Sequence, residues 1–398
     1  MTIAAHTLGC KLNFAETSDL LRRLAAEGNT IVDWSMRADL YIVNTCTVTA
    51  VAEKKCRAAI RQAHRRNPDA KIVVMGCFAQ VAAEEIEKMP GVTQVLGNDS
   101  KRLLSYSGED RTRTFFKIQD GCDYFCTYCA IPFARGRSRS ATIEETLCAA
   151  RRIADSGARE VVLTGVNTGT FGQHHGESFL ELLEQLDKLE GILRYRISSI
   201  EPNLLTDDII DFVAHSRAFL PHFHIPLQAG SDHVLQLMHR RYDTALYRSK
   251  LERIKAVMPD ACIAADVMAG FNGENEEEFA KVLSFIDSLP ISYLHVFTYS
   301  DRTGTAALRL GEKIPVAVRH EHTSRLLELS ERKHNDFIAS QIGKTRPVLW
   351  ESTPHGTDMQ GWTDNYIRVC RPYDDSLVNT VEAVTLSQDN IAREAVSD

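Results

Sequence analysis

Three times in the first hundred residues, a short apolar run stops at a cysteine and gives way to a helical stretch. No other feature of the chain constrains its fold more. Residues 3–8 lead to Gly9-Cys10, and Asn13 is placed to cap a helix with Phe14, Leu20, Leu21 and Leu24 as apolar positions, which stops at Gly28. Residues 40–45 lead to Cys46, and residues 50–66 then carry Cys56, Ile60 and Ala63 on one helical stripe until Pro68 ends it. Residues 71–75 lead to Gly76-Cys77 and a third helix over 81–89. The alternation predicts an open parallel α/β sheet, whose ligands lie outside the carboxyl ends of its strands. Cys10, Cys46 and Cys77 all fall at that edge, where helix N-termini favour an anionic thiolate cluster.

The alternation resumes near residue 115. Thr142 and Glu145 form a capping box for a helix that runs to Ser156 and stops at Gly157. Strands at 116–119, 160–163, 193–198, 222–227, 262–267 and 293–297, separated by helices, predict a partial (β/α)6 barrel. Such a barrel carries its functional groups at the carboxyl ends of the strands, here Thr164, Asn167, Ser199, Glu201, Gln228, Asp266 and Thr298. A long mixed-charge helix over 319–342 leads to short strand-like runs at 347–350, 366–369 and 380–386, which predict a small β-barrel of the OB type. The chain is thus expected to be an α/β protein of three domains, at 1–105, 108–340 and 343–398.

The start Met-Thr-Ile-Ala-Ala-His has no basic segment ahead of an apolar one, and no apolar run approaches a membrane span. A cytoplasmic protein without membrane contact is expected. Ten cysteines without secretory context point to metal or catalytic thiols, not to disulfides. Cys56, Cys148, Cys262 and Cys370 lie outside the two triplets and read as small buried hydrophobes. The net charge of -7 neither announces nor excludes a nucleic-acid partner, because phosphate binding depends on a local patch. Basic groups occur at Lys54, Lys55, Arg57, Arg61, Arg65 and Arg66, which read equally as a solvated helix face, and at Arg135, Arg137 and Arg139.

Cys122, Cys126 and Cys129 form a Cys-x-x-x-Cys-x-x-Cys run just past the first barrel strand. Three thiolates hold three irons of a cubane cluster and leave the fourth open. That spacing lets a loop present the open iron to the amino and carboxylate groups of S-adenosylmethionine. The alternative is a zinc knuckle in a non-enzymatic RNA-binding protein, but structural zinc takes four closed ligands and the run supplies no fourth.

Across essentially its whole length the chain resembles the methylthiotransferase branch of the radical S-adenosylmethionine enzymes. Thr7-Leu8-Gly9-Cys10-Lys11-Leu12-Asn13, Asn44-Thr45-Cys46-Thr47-Val48-Thr49 and Gly76-Cys77 are similar to the subgroup that methylthiolates threonylcarbamoyl-adenosine in transfer RNA. The isopentenyl-adenosine subgroup usually has Gly-Cys-Gln-Met-Asn at the first site, and the subgroup acting on a ribosomal-protein aspartate has Gly-Cys-Pro-Lys-Asn. Lys11 and the run Thr47-Val48-Thr49 therefore carry the substrate assignment, with those two substrates as alternatives. The segments 130–140, 224–232 and 238–242 also match the branch.

The resemblance implies an N-terminal methylthiotransferase domain, a radical domain and a C-terminal TRAM domain, two 4Fe-4S clusters and two molecules of S-adenosyl-L-methionine. Cys10, Cys46 and Cys77 would hold the sulfur-carrying cluster, and Cys122, Cys126 and Cys129 the radical-generating one. A methylated sulfur would add at carbon 2 of the adenine after a radical removes the hydrogen there. The partners implied are transfer RNA and an electron donor such as flavodoxin or ferredoxin; no oligomeric state is implied. Asn167, Glu201, Gln228 and Asp266 are assigned to S-adenosylmethionine, although each reads equally as an internal strand-end hydrogen bond. Arg135, Arg137 and Arg139 are assigned to RNA phosphate, with salt bridges inside the fold as the alternative.

Three departures stand out. Ala269-Gly270-Phe271-Asn272-Gly273-Glu274 replaces the usual Val-Gly-Phe-Pro-Gly-Glu, and residues 298–305 lack the usual prolines, which reduces loop rigidity. From Lys344 onward five basic residues face nine acidic ones, a net of -4, where a domain that binds RNA by charge is expected to be basic.

Overall fold

A computed structural model describes residues 1–98, 101–108 and 112–392 of the chain. The first unit comprises β1 (Thr2–Thr7), α1 (Lys11–Ala26), β2 (Thr30–Ile31), β3 (Leu40–Thr45), α2 (Ala50–Arg66), β4 (Lys71–Gly76), α3 (Cys77–Val81), α4 (Ala83–Glu87) and β5 (Val92–Leu96). Its strands form the expected wholly parallel sheet in the order β2-β1-β3-β4-β5. Every residue of β3 is buried, because Cys56, Ile60 and Ala63 of α2 cover one face of the sheet and Leu20, Leu21 and Leu24 of α1 the other.

Two helix starts differ from expectation, and both for tertiary reasons. Asn13 is not a cap: α1 begins at Lys11 with Cys10 as the N-cap residue, and the buried Asn13 amide donates to the Leu8 carbonyl at 2.8 Å and the Thr45 carbonyl at 3.0 Å. The third helix begins at Cys77, not at 81, because Thr45 Oγ1 on the adjacent strand accepts the Ala79 amide proton at 3.1 Å. A cap supplied from thirty-odd residues away leaves no local signature.

The second unit contains β6 (Ser105–Tyr106), β7 (Arg113–Lys117), β8 (Gln119–Asp120), α5 (Ile131–Arg135), β9 (Arg139–Ser140), α6 (Ile143–Asp155), β10 (Glu160–Thr164), α7 (Phe179–Asp187), β11 (Arg194–Ile197) and α8 (Asp207–His215). It continues through β12 (His222–His224), α9 (Asp232–Leu237), α10 (Thr244–Val257), β13 (Cys262–Ala269), α11 (Glu276–Ser288), β14 (Tyr293–Thr298) and α12 (Val316–Gln341). The sheets β11-β10-β7-β6 and β12-β13-β14 are joined where the Tyr195 amide donates to the Ala218 carbonyl at 2.8 Å and the Leu220 amide to the Tyr195 carbonyl at 3.0 Å. Six parallel strands thus make the expected partial barrel, with β6 antiparallel beside β7. Phe116 joins the core under the helices, whereas Phe115 alternates away from it.

The lateral opening between β7 and β14 is bridged by the first unit. Helix α1 packs along β6 and β7, with Phe14 edge-on to Phe115 at 6.0 Å. Arg302, just past β14, donates to the carbonyl and hydroxyl of Thr47 and pairs with Glu53.

The expected C-terminal β-unit is a four-stranded antiparallel sheet, β17-β16-β15-β18, formed by β15 (Thr345–His355), β16 (Asp358–Thr363), β17 (Arg368–Pro372) and β18 (Val381–Thr385). It seals the amino end of the barrel. Arg194 donates to the carbonyls of Trp362 (3.1 Å) and Thr363 (3.0 Å), and Arg196 to those of Thr363 (2.7 Å) and Asp364 (2.8 Å). Tyr366, in the left-handed region at φ +67°, stacks on His222 at 4.2 Å and on Trp362 at 4.4 Å. Cys262 is buried in the core beneath this joint and Cys56 in that of the first unit, as expected of small hydrophobes. Cys148 is not: the buried stripe of α6 is Thr146, Ala149, Ala150 and Ile153, which leaves Cys148 exposed, and Cys370 is half-buried.

Glu160, fully buried at the start of β10, holds this joint together by pairing with Arg194 at 2.8 Å and Arg196 at 2.7 Å. Burial pushes its carboxyl up, but Arg196, Arg194 and Arg113 outweigh it and bring the pKa to about 2. A carboxyl lowered in the fold stabilises above its unfolded value and loses that contribution as pH falls toward the folded one. Glu160→Gln is therefore expected to cost about 3 kcal/mol at pH 7. The gap in Tm between wild type and variant should close between about pH 5 and about pH 2. A gap that stays constant over that range contradicts the assignment.

Candidate metal centres and the cleft between them

Each cysteine of the first triplet is placed by a strand end. A side chain at Gly9, whose φ is +101°, would lie 2.7 Å from Cys46 Cβ and 2.8 Å from Cys46 Sγ, so only glycine lets the Cys10 turn lie against Cys46. At Gly76, with φ +104°, a Cβ would sit 2.4 Å from the Thr45 carbonyl oxygen. Cys77 Sγ accepts a long hydrogen bond from Asn98 Nδ2 at 3.7 Å. Burial, with a smaller contribution from the nearby Cys10 and Cys77 thiols, pushes the Cys46 thiol up to about 12. Cys56 stands behind the site with its thiol engaged by the Cys46 backbone, accepting from the amide at 3.3 Å and donating to the carbonyl at 3.5 Å.

The second triplet occupies the loop between β8 and α5. Gly121, at φ +71°, passes so close to the Arg137 carbonyl that a Cβ would lie 1.9 Å from its oxygen. Each sulfur has one N–H donor: the Tyr124 amide to Cys122 at 3.5 Å, Arg240 Nη1 to Cys126 at 3.1 Å and the Ile131 amide to Cys129 at 3.4 Å. Burial pushes Cys122 up to about 11, Cys129 up to about 12, and Cys126 upward. Two sets of three convergent thiols that resist ionisation singly, each held in a glycine cradle, fit an iron-sulfur cluster, whose cations replace the protons.

A buried ion network joins the two sites. Glu16 on α1 pairs with Lys117 at 2.7 Å, with Arg135 at 3.0 Å and with Lys101, while Asp120 pairs with Lys117 at 2.9 Å and Arg135 at 2.8 Å. Arg135 Nη2 also donates to Asn13 Oδ1 at 2.6 Å. Burial pushes the Glu16 carboxyl up, but Arg135, Lys101 and Lys117 outweigh it and bring the pKa to about 2. Burial works against the Arg135 charge, yet Glu16 and Asp120, followed by Cys77 and Cys10, hold the guanidinium well above its ordinary value.

This placement corrects the expectation for Arg135. At 2% exposure, with its guanidinium spent on Glu16, Asp120 and Asn13, it has no face for an RNA phosphate. Arg139 is half-buried against the Asn98 carbonyl and Asp120. Arg137 is exposed, pairs with Asp123 at 3.1 Å and lies over the Phe125 ring at 5.2 Å. Phe125 (42% exposed, φ +49°) and Phe133 (60% exposed) stand edge to face at 6.3 Å beside the second triplet.

The four residues assigned to S-adenosylmethionine divide into two pairs. Asn167 is buried after β10 with neither amide atom hydrogen-bonded in good geometry, although Tyr124 is close enough to feel it. Glu201 pairs with Arg240, the residue that also reaches Cys126 and, at 3.3 Å, the Tyr128 hydroxyl. Asn167 and Glu201 thus both adjoin the second cysteine loop. Gln228, at φ +65°, is tied through its amide to the Asp266 carbonyl at 2.8 Å. The Asp266 carboxylate lies 2.8 Å from His224 Nε2. Of the residues carrying the substrate assignment, Thr49 caps α2 through the Ala52 amide and Thr47 holds Arg302 and Glu53, which are structural tasks. Lys11 lies over the Phe115 ring of β7 at 5.9 Å and has no such structural partner among the described residues.

Sequence reasoning did not single out Glu16, Lys101, Lys117, Asp120, His224 or Arg240 for the site. Arg240 lay within a matched segment, but its role depends on a sulfur 114 positions away in the chain.

Comparison with known proteins places these sites in context. Residues 2–97 match the family described as "Uncharacterized protein family UPF0004", and residues 116–286 match the radical SAM superfamily. The chain is 38% identical to threonylcarbamoyladenosine tRNA methylthiotransferase MtaB of Bacillus subtilis (strain 168), over 92% of this chain and 90% of that protein. It is 36% identical to the protein of the same name from Aquifex aeolicus (strain VF5), over 93% and 97%. Among solved structures, the radical S-adenosylmethionine methyltransferase TsrM of Kitasatospora setae, bound to cobalamin and a [4Fe-4S] cluster, superposes with a TM-score of 0.53 at 13% identity, covering 75% of this chain and 74% of that one. That likeness is one of fold.

The network yields a prediction that separates its members from the exposed arginine. Arg135→Met takes from each of two buried carboxylates one of its cations, leaving Lys117 to serve both, and is expected to lower stability by about 3 kcal/mol. Arg137→Ala, at the surface, should stay within about 0.5 kcal/mol. Thermal melts of both variants under anaerobic conditions check this, and equal melting temperatures would contradict it.

Proposed function

Because the chain belongs to the methylthiotransferase family of radical S-adenosylmethionine enzymes, we propose that it places a methylthio group on carbon 2 of threonylcarbamoyl-adenosine beside the anticodon of transfer RNA. The observation that carries this reading is the pair of three-cysteine sites joined through Arg135, which follows the second triplet in sequence yet is held by Glu16 and Asn13 beside the first. Cys10, Cys46 and Cys77 would hold one 4Fe-4S cluster, and Cys122, Cys126 and Cys129 the other. Asn167, with its unpaired buried amide, and Glu201 are the residues best placed to meet S-adenosylmethionine at the second site. When bound, these groups supply methylated sulfur and the one-electron chemistry that replaces a hydrogen on an aromatic carbon no side chain could deprotonate.

The protein's own residues hold the two sites in register through the buried network around Arg135. Arg240 fixes Cys126, Glu201 and Tyr128 relative to one another. Phe125, Phe133 and Arg137 supply exposed ring faces and a cation at the rim, the surface on which splayed RNA bases stack. No helix among the described residues is long and apolar enough to cross a membrane. On this reading the working units are residues 1–105, 108–340 and 343–398, the protein acts in the cytoplasm, and a flavodoxin or ferredoxin supplies electrons.

Nucleoside mass spectrometry of transfer RNA from cells with and without the gene tests the substrate. Loss of methylthio-threonylcarbamoyl-adenosine on deletion is expected, and an unchanged signal would overturn the reading. Anaerobically reconstituted wild type should carry about eight irons, and Cys10→Ala and Cys126→Ala about four each. Zinc in place of iron would contradict both site assignments.

A further inference from the structure

Lys11 is the first residue of α1, the helix that bridges the lateral opening of the barrel. Its side chain is exposed, makes no ion pair among the described residues, and lies over Phe115. Its charge is felt at Asp266, His222 and His295, which belong to the strands on the opposite side of the interior. A lysine at the surface of the first unit thus projects a positive field across the barrel cleft.

His295 faces Lys11 from β14. Its ring is open to the cleft, with its centroid 5.1 Å from that of His224, and forms no hydrogen bond with a described residue. His224 is already committed, with Nε2 2.8 Å from the Asp266 carboxylate and Nδ1 3.2 Å from the Ser199 hydroxyl. The ligand atoms of His224, Asp266 and His295 lie within 4.8 Å of one another, a spacing a cation would also accept. The ammonium of Lys11 opposes a second cation there, and the one carboxylate of the group, Asp266, is already bonded to His224. An ammonium without an ion pair and an imidazole without a hydrogen bond among the described residues are two donors that a carboxylate takes up in charge-assisted hydrogen bonds, provided it sits on the side of His295 away from Asp266.

We propose that Lys11 and His295 form a seat for the carboxylate of the threonyl group on the modified adenosine, and so set which N6-substituted adenosine enters the cleft. This rests on the substrate reading above. A threonylcarbamoyl group ends in a carboxylate, whereas an isopentenyl group offers only hydrocarbon, for which an unpaired ammonium is a desolvation cost. The seat selects by reward and by penalty together. S-adenosylmethionine is the other source of a carboxylate in this cleft, and the test separates the two.

The full-length protein, reconstituted anaerobically with iron and sulfide, is titrated with anticodon stem-loop RNA bearing threonylcarbamoyl-adenosine, its neutral methyl ester, or unmodified adenosine. Wild type is expected to bind the acid at least about tenfold tighter than the ester. Lys11→Gln and His295→Ala should each bring affinity for the acid down toward that for the ester, with affinity for S-adenosylmethionine retained. Lys11→Arg should recover part of the preference. His295→Ala keeps the test decisive if substitution beside Cys10 disturbs iron content, which is measured for every variant. A wild type that prefers both acid and ester to unmodified adenosine but does not separate them overturns the seat and leaves the substrate reading standing. So do variants that keep the acid preference, or that lose S-adenosylmethionine instead. A wild type indifferent to the threonylcarbamoyl group overturns the substrate reading, and the seat with it.

Discussion

The geometry of the site depends on five charges buried where the first unit meets the barrel. Glu16, Asp120, Lys101, Lys117 and Arg135 are almost wholly removed from water, and each carboxylate answers more than one cation. Apolar packing would hold two units together as firmly, since buried ion pairs recover little beyond their desolvation cost. Directional bonds do something that packing does not. Arg135 reaches Asn13 three residues after Cys10, and Asp120 two residues before Cys122, so one guanidinium sets the position of both cysteine loops.

The same division of labour appears at the other end of the barrel. The C-terminal unit has few basic groups to offer RNA, and those described are engaged within the protein: Lys344 and Arg346 with Asp260, Arg371 with Glu382, and Arg368 over the Trp362 ring. Arg393 lies outside the described residues. The acidic balance of this unit matches the structural part it plays under the barrel. The exposed ring-and-cation surface stands at the opposite end, beside the second cysteine triplet.

Much of this was legible in the sequence, because strand-end cysteines and helical stripes are local patterns. The parallel sheet and the partial barrel followed from them, and the six thiols that the same patterns single out lie in two groups of three. What escaped were features whose cause lies elsewhere in the chain. Thr45 caps a helix from the next strand, Arg240 serves a distant sulfur, and Arg135 looks like a surface arginine until α1 closes over it. Lys11 was singled out by the motif around Cys10; the packing of α1 along β7 shows that it lies over Phe115.

The stack of Tyr366 on His222 and Trp362 was described as a joint between units. It is also a floor. The amino end of the barrel is covered in this way, and α1 and Arg302 lie across the lateral opening, so among the described residues the carboxyl end is the face left without such a cover. Phe125 and Phe133 stand exposed at that end, where a molecule approaching the second cysteine triplet meets their rings first.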